Sequence, residues 1–100
     1  MLFSFCSNVI QSVFEKNSYI GGQFSLAAVP PHKQKLLWVI EDLATACKKA
    51  GVEFRMNTPA TAEAIKELKP YAIFDATGGT AVRPPIPGHD LPNVCTITEI

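Results

Sequence analysis

From Lys33 to Ala50 the chain repeats its apolar side chains with the period of an α-helix, and it is punctuated immediately afterwards. At 100° per residue, Leu36, Leu37, Ile40, Leu43, Ala44 and Cys47 fall within an arc of about 120°, while Lys35, Glu41, Asp42, Thr45, Lys48 and Lys49 occupy the rest. Lys48 and Lys49 suit the negative end of the helix dipole, and Gly51 accepts the left-handed conformation that ends a helix. Val52-Glu53-Phe54-Arg55-Met56 then alternates apolar and polar residues, the pattern of a short strand. A one-faced helix that runs straight into a strand leaves few folds open.

The flanking segments narrow the choice. Asn8 to Glu15 is rich in β-branched and aromatic residues and stops at Lys16-Asn17-Ser18, which predicts a first strand. Gly21-Gly22-Gln23 opens a loop that runs through Pro30-Pro31, where a helix interior is excluded. Ordered loops of that length are often functional. A second, shorter helix is predicted from about Ala60 to Leu68, with Thr58 or Thr61 as its cap and Pro70 blocking its extension. The nearly continuous apolar run Tyr71 to Ala76 predicts a strand covered on both faces, ending at Thr77-Gly78-Gly79. Pro84-Pro85-Ile86-Pro87-Gly88 reads as an extended crossover, and Val94 to Ile97 as one last strand. Strand, helix, strand, helix, strand is the order of a parallel α/β sheet. Such sheets bind ligands beyond the carboxyl ends of their strands, and Glu15 and Thr77-Gly78 are expected there.

Composition sets the limits. At 100 residues and 10.9 kDa, a compact fold would show roughly 5,600 Å² against roughly 15,800 Å² for the open chain, enough for one core. Nine basic residues cancel nine acidic ones. A net charge of zero gives no general attraction to nucleic acid or to an anionic membrane, so neither is expected as a partner. Cys6, Cys47 and Cys95 are odd in number and far apart, and form neither a disulfide framework nor a zinc pattern. The run Met1 to Ile10 is a poor signal peptide, and no stretch approaches the roughly 20 apolar residues that cross a bilayer. A cytoplasmic location is the expectation.

Few residues suggest chemistry. Glu15, at a strand end, is either a solvated side chain or the acid that holds a nucleotide ribose. Gly21-Gly22 and Thr77-Gly78-Gly79 are either plain turns or places where a backbone meets a phosphate. His32 and His89 flank prolines, with no nucleophile setting around them, and read as solvated loop residues. Cys47 reads as core. Trp38 falls on the polar side of the long helix, as either an aromatic lying on the surface or a contact for a partner.

Taken in order, Val13-Phe14-Glu15-Lys16, Gly21-Gly22-Gln23-Phe24, Pro31-x-Lys33, Gly51-Val52, Asp75-Ala76-Thr77-Gly78, Pro84-x-Ile86-Pro87-Gly88 and Thr98-Glu99 form a pattern. It resembles the FAD-binding portion of the NADH:flavin oxidoreductases of the 2,4-dienoyl-CoA reductase, enoate reductase and trimethylamine dehydrogenase type, over roughly Val13 to Ile100. The resemblance implies a parent enzyme in which a barrel holds FMN and an iron-sulfur cluster. Two nucleotide-binding folds there hold FAD and NAD(P)H, and electrons pass to an activated C=C bond. It further implies that Glu15, followed by Lys16, meets the adenosine ribose of FAD, that Gly22 and Gln23 border the FAD site, that the backbone at Ala60 meets adenine, and that Thr77 and Gly78 approach the pyrophosphate.

One departure bears on mechanism. The family's Gly-x-Gly-x-x-Gly turn should precede Val13, yet Met1 to Ser12 contains no glycine. That turn and its helix supply the N–H groups and dipole that hold the pyrophosphate. The expected fold is therefore α/β, an incomplete Rossmann-like parallel sheet lacking the first strand and the glycine-rich turn. Residues 1–12 would be a non-matching N-terminal segment, and 13–100 a partial FAD-binding domain. Alone it is expected to catalyse nothing and to hold no cofactor tightly, with the rest of the parent flavoenzyme as its partner and a homodimer as its state in isolation. The rival expectation is a cofactor-free interaction module that keeps the fold and uses Trp38 and an exposed sheet edge as contacts. A third is an intact small nucleotide-binding protein.

Overall fold

A computed structural model describes residues 10–99. Their order is strand β1 (Ser12–Phe14), a 3-10 helix (Gly22–Ala28), helix α1 (Leu36–Lys49), strand β2 (Glu53–Arg55) and helix α2 (Ala62–Glu67). β1 and β2 pair in parallel, with Ser12 opposite Glu53, Val13 opposite Phe54 and Phe14 opposite Arg55. Parallel neighbours need a long crossover between them, and here α1 lies in it. The ladder runs one residue beyond each end of the regular strand, since Glu53 N–H donates to Gln11 O (2.9 Å) and Glu15 N–H to Arg55 O (3.0 Å). Across the pair the Arg55 guanidinium lies over the Phe14 ring at 5.3 Å. Asn8 and Val9, the start of the expected first strand, lie outside the described residues.

Local chemistry accounts for the helix ends. α1 begins at Leu36 rather than Lys33 because His32 sits at φ 65°, and the turn after Pro30 must close first, Lys33 N–H donating to Pro30 O at 3.2 Å. Its end is the paired-hydrogen-bond stop that left-handed glycine allows. Gly51 N–H donates to Lys48 O (3.1 Å) and Val52 N–H to Cys47 O (3.0 Å), with Gly51 at φ 82°. For α2 the cap is Thr61, whose Oγ1 accepts from Ala64 N–H at 3.2 Å, whereas Thr58 Oγ1 donates to its own strand end at Met56 O (2.8 Å). Lys69 at φ 47° ends it ahead of Pro70.

The 3-10 helix occupies what reads in sequence as plain loop. It packs against α1, and the two described apolar residues that are buried, Ala28 and Cys47, each 7% exposed, come one from each helix. Gly21 makes the approach possible: it sits at φ 115°, and a Cβ there would lie 2.6 Å from Ile40 Cδ1. Trp38 is 60% exposed and carries Lys35 Nζ 5.9 Å from its ring centre, which is compatible with both readings of it, surface aromatic and partner contact.

Two expectations fail. Tyr71 to Ala76 is not a strand and is covered on neither face, with Ile73 63% and Phe74 64% exposed. Val94 to Ile97 forms none either. Strand propensity is realised only against a neighbouring ladder, and among the described residues neither segment has one. Among the described residues the sheet therefore has two strands instead of the three or four expected. The chain exposes 8530 Å² and has a radius of gyration of 17.2 Å, against roughly 5,600 Å² and about 13 Å for a compact domain of this size. No helix among the described residues is long and apolar enough to cross a membrane.

Candidate functional site

The carboxyl end of β1 organises its surroundings through backbone groups. Glu15 O accepts from Thr58 N–H at 2.8 Å, and two residues on Asn17 O accepts from Asn57 N–H at 3.0 Å, so the segment after β2 is tied along the one after β1. That segment leads on to Ala60, which is exposed. Glu15 is half-buried, and its Oε1 accepts from the Asn17 N–H at 2.9 Å. The acid is thus held by its own turn and is not simply solvated. Lys16 beside it is exposed.

A second grouping joins residues far apart in sequence. The Gln23 side chain donates through Nε2 to the Gly79 carbonyl, which brings Gly22-Gln23 against the loop that carries Thr77-Gly78. Around Gly78 and Gly79 there is open space, for a Cβ at either would meet nothing within 4 Å. Gly78 needs its missing side chain for φ 82°; Gly79 has neither a positive φ nor a close neighbour to explain it. Thr77 itself is committed elsewhere. Its N–H (3.0 Å) and its hydroxyl (2.8 Å) both donate to Asp75 Oδ1. Those two bonds, the backbone one first, hold the Asp75 carboxyl below its usual range.

The expected site residues therefore fall into two groups, Glu15 with the Ala60 segment and Gly22-Gln23 with Thr77-Gly78. No described strand at 71–76 carries the second group to the sheet edge where Glu15 stands. Gly79 belongs to the Thr77-Gly78-Gly79 turn already expected at the site, whereas Asn17 and Thr58 were not legible as participants there. Asn17 alone had a signal, a turn-forming residue two positions after an acid. The other well-connected acids are Glu53, whose carboxyl is held below its usual range first by Arg55 and then by the Ser12 hydroxyl, and Glu99. Glu99 Oε2 accepts from Thr96 N–H (2.6 Å) and from Arg83 (2.8 Å) and is held at about 2, the backbone bond contributing most. Among the described residues no group of three His, Cys, Asp or Glu side chains is placed to hold a metal.

A mixed α/β unit with one parallel strand–helix–strand crossover and glycine-bearing loops around it is the class that fold and loops define. Comparison with known proteins finds similarity to parts of several oxidases and reductases. The chain is 37% identical over 81 residues to an NADH oxidase of Thermoanaerobacter brockii, covering 81% of this chain and 12% of that protein. It is 35% identical over 82 residues to a bilirubin reductase of Mediterraneibacter gnavus, 82% of this chain and 13% of the other. To a cinnamate reductase of Clostridium sporogenes it is 32% identical over 79 residues, 79% of this chain and 12% of that enzyme. The chain thus spans about an eighth of the length of these relatives, all named for redox reactions. No family model and no solved structure matches it.

Proposed function

We propose that this chain is the adenosine-side portion of the FAD-binding domain of an NAD(P)H-dependent flavin oxidoreductase, of the enoate and dienoyl-CoA reductase type, with a Rossmann-like parallel sheet. The observation that carries the reading is the similarity along four fifths of the chain to enzymes named for NADH oxidation and for reduction of bilirubin and cinnamate. When bound, FAD supplies the two-electron carrier between a nicotinamide and the next acceptor; this segment's part is to hold it. The residues present fit the group. With Oε1 fixed by the Asn17 amide, the Glu15 carboxylate is oriented and keeps a second oxygen for a ribose hydroxyl. Lys16 stands beside that acid, and Ala60 lies on the neighbouring segment, the reading's place for adenine. Gly22 and Gln23 border the loop whose Gly78 and Gly79 leave room for a pyrophosphate. Thr77 takes the supporting role of shaping that loop, because Asp75 uses both of its donors.

The parent enzyme's FMN, iron-sulfur cluster and reduction of an activated C=C bond belong to this reading as well, outside residues 1–100. No Gly-x-Gly-x-x-Gly occurs in those residues. They hold FAD weakly when alone, since each N–H bond to a charged group is worth about 1.5–3 kcal/mol and several are missing. The test is flavin fluorescence titration of the chain joined behind a strand and glycine-rich turn, with and without Glu15→Ala. The substitution should weaken FAD by roughly 1–3 kcal/mol, the scale of hydrogen bonds to a charged acceptor. Equal affinities of the two proteins remove Glu15 from the site, and a stoichiometric flavin retained by the 100-residue chain through gel filtration contradicts the division of labour.

A further inference from the structure

Tyr71 to Ala76 has the composition of a strand without a sheet. Five of its six residues are apolar or aromatic, Asp75 is its one charge, and Ile73 and Phe74 stand in solvent. Among the described residues no backbone group of 71–76 bonds to another element. Pro70, which has no N–H, bounds it on one side, and Thr77, whose N–H is taken by Asp75, on the other. The chain as a whole exposes 8530 Å², roughly 2,900 Å² more than a compact protein of its mass. Obligate homodimers bury about 2,000–5,000 Å² over both partners, or about 1,000–2,500 Å² per copy, so one twofold contact can cover part of that excess on each chain.

We propose that the 100-residue chain forms a twofold dimer in which the 71–75 segments of two copies pair as antiparallel strands with Ile73 on the axis. A twofold antiparallel pair must set one residue against its own copy, because side chains directly opposite share a face of the sheet. With Ile73 there, Ala72 faces Phe74, small against large, and Tyr71 faces Asp75. Centring on Phe74 instead would set Ile73 against the Asp75 carboxylate, a charge against an aliphatic side chain. The Ile73 register uses only residues whose N–H groups have no other partner among the described residues.

Light scattering after gel filtration across a hundredfold range of concentration tests it, together with hydrogen exchange at 71–75. The expected mass is twice 10.9 kDa, with amides of 71–75 protected. Ile73→Glu, which sets two carboxylates against each other, should raise the dimer dissociation constant at least 100-fold and release those amides. The helical part of the far-ultraviolet circular dichroism should stay unchanged, because Ile73 belongs to neither α1 nor α2. A monomer throughout, a larger assembly, or a dimer that Ile73→Glu leaves intact overturns the proposal. Flavin titration reads a different property, so failure here leaves the cofactor reading standing, and the converse holds.

Discussion

Replacing Gly21 by alanine tests how the segment after β1 is seated on α1. Two costs add at this position. A φ of 115° is one that residues with a Cβ rarely adopt, and left-handed backbone costs them about 1–2 kcal/mol. The added Cβ would also lie 2.6 Å from Ile40 Cδ1, whereas carbon atoms rest about 3.5–4.0 Å apart. Ile40 must swing its terminal methyl away by about 1 Å, and an off-rotamer side chain costs of order 0.5–1.5 kcal/mol. Together the loss is roughly 2–3 kcal/mol. Gly22→Ala is the internal control: with φ 50° and nothing within 4 Å, it carries only the backbone cost of about 1–2 kcal/mol. Urea unfolding followed by helical circular dichroism measures both. Ile40→Val, which lacks Cδ1 and alone costs about 0.5–1.5 kcal/mol, should recover part of the Gly21→Ala loss when the two are combined. Equal losses for Gly21→Ala and Gly22→Ala, with no recovery by Ile40→Val, would refute the packing argument.

Two further outcomes follow from capping and charge. Thr61→Ala removes the acceptor for the Ala64 N–H and should destabilise α2 by about 1 kcal/mol, with Thr61→Ser close to the original; exchange rates of the amides at the start of α2 measure it. Glu99 is held at about 2 from an ordinary 4.5. Its contribution to the 83–99 fold-back is therefore fully present above pH 4.5 and is lost as pH falls from there through about 2. A carboxyl titration followed by NMR should place its midpoint near the lower value, and Glu99→Gln should remove that part of the acid dependence.

What could be read from the sequence is what short-range chemistry decides. The stop of α1 at Gly51, the burial of Cys47 and the exposure of Trp38 all follow from spacing along one helix. The presence of β2, Glu53–Arg55, follows from alternation over the five residues Val52 to Met56, which overstate its length by one at each end. Thr58 and Thr61 were equivalent candidates until the backbone decided between them: the Thr58 side chain turns back to Met56, and Thr61 alone stands where an α2 N–H can reach it. The 3-10 helix escaped notice because Gly21-Gly22 at one end and Pro30-Pro31 at the other look like loop punctuation. Its seven residues are held against α1 by a contact that is not periodic. Tyr71 to Ala76 shows the opposite error, since a hydrophobic run states what a segment prefers and not whether a ladder exists to receive it. At the site, the position of Glu15 was legible, but its tie to Asn17 was not. The Gln23–Gly79 contact spans 56 positions and leaves no trace in either local pattern.

The burial of Cys47 gives the molecule a clock. Of the two cysteines described, Cys95 is exposed, whereas Cys47 is the buried residue of α1. A thiol reagent should therefore consume one at the rate of a free thiol. It should reach the other only in the intervals when α1 lifts from its support, since a shielded thiol reacts from the opened state. The ratio of the two alkylation rates is the fraction of time this crossover spends undone, and a ligand or second chain that clamps the crossover would slow the buried thiol without touching the outer one.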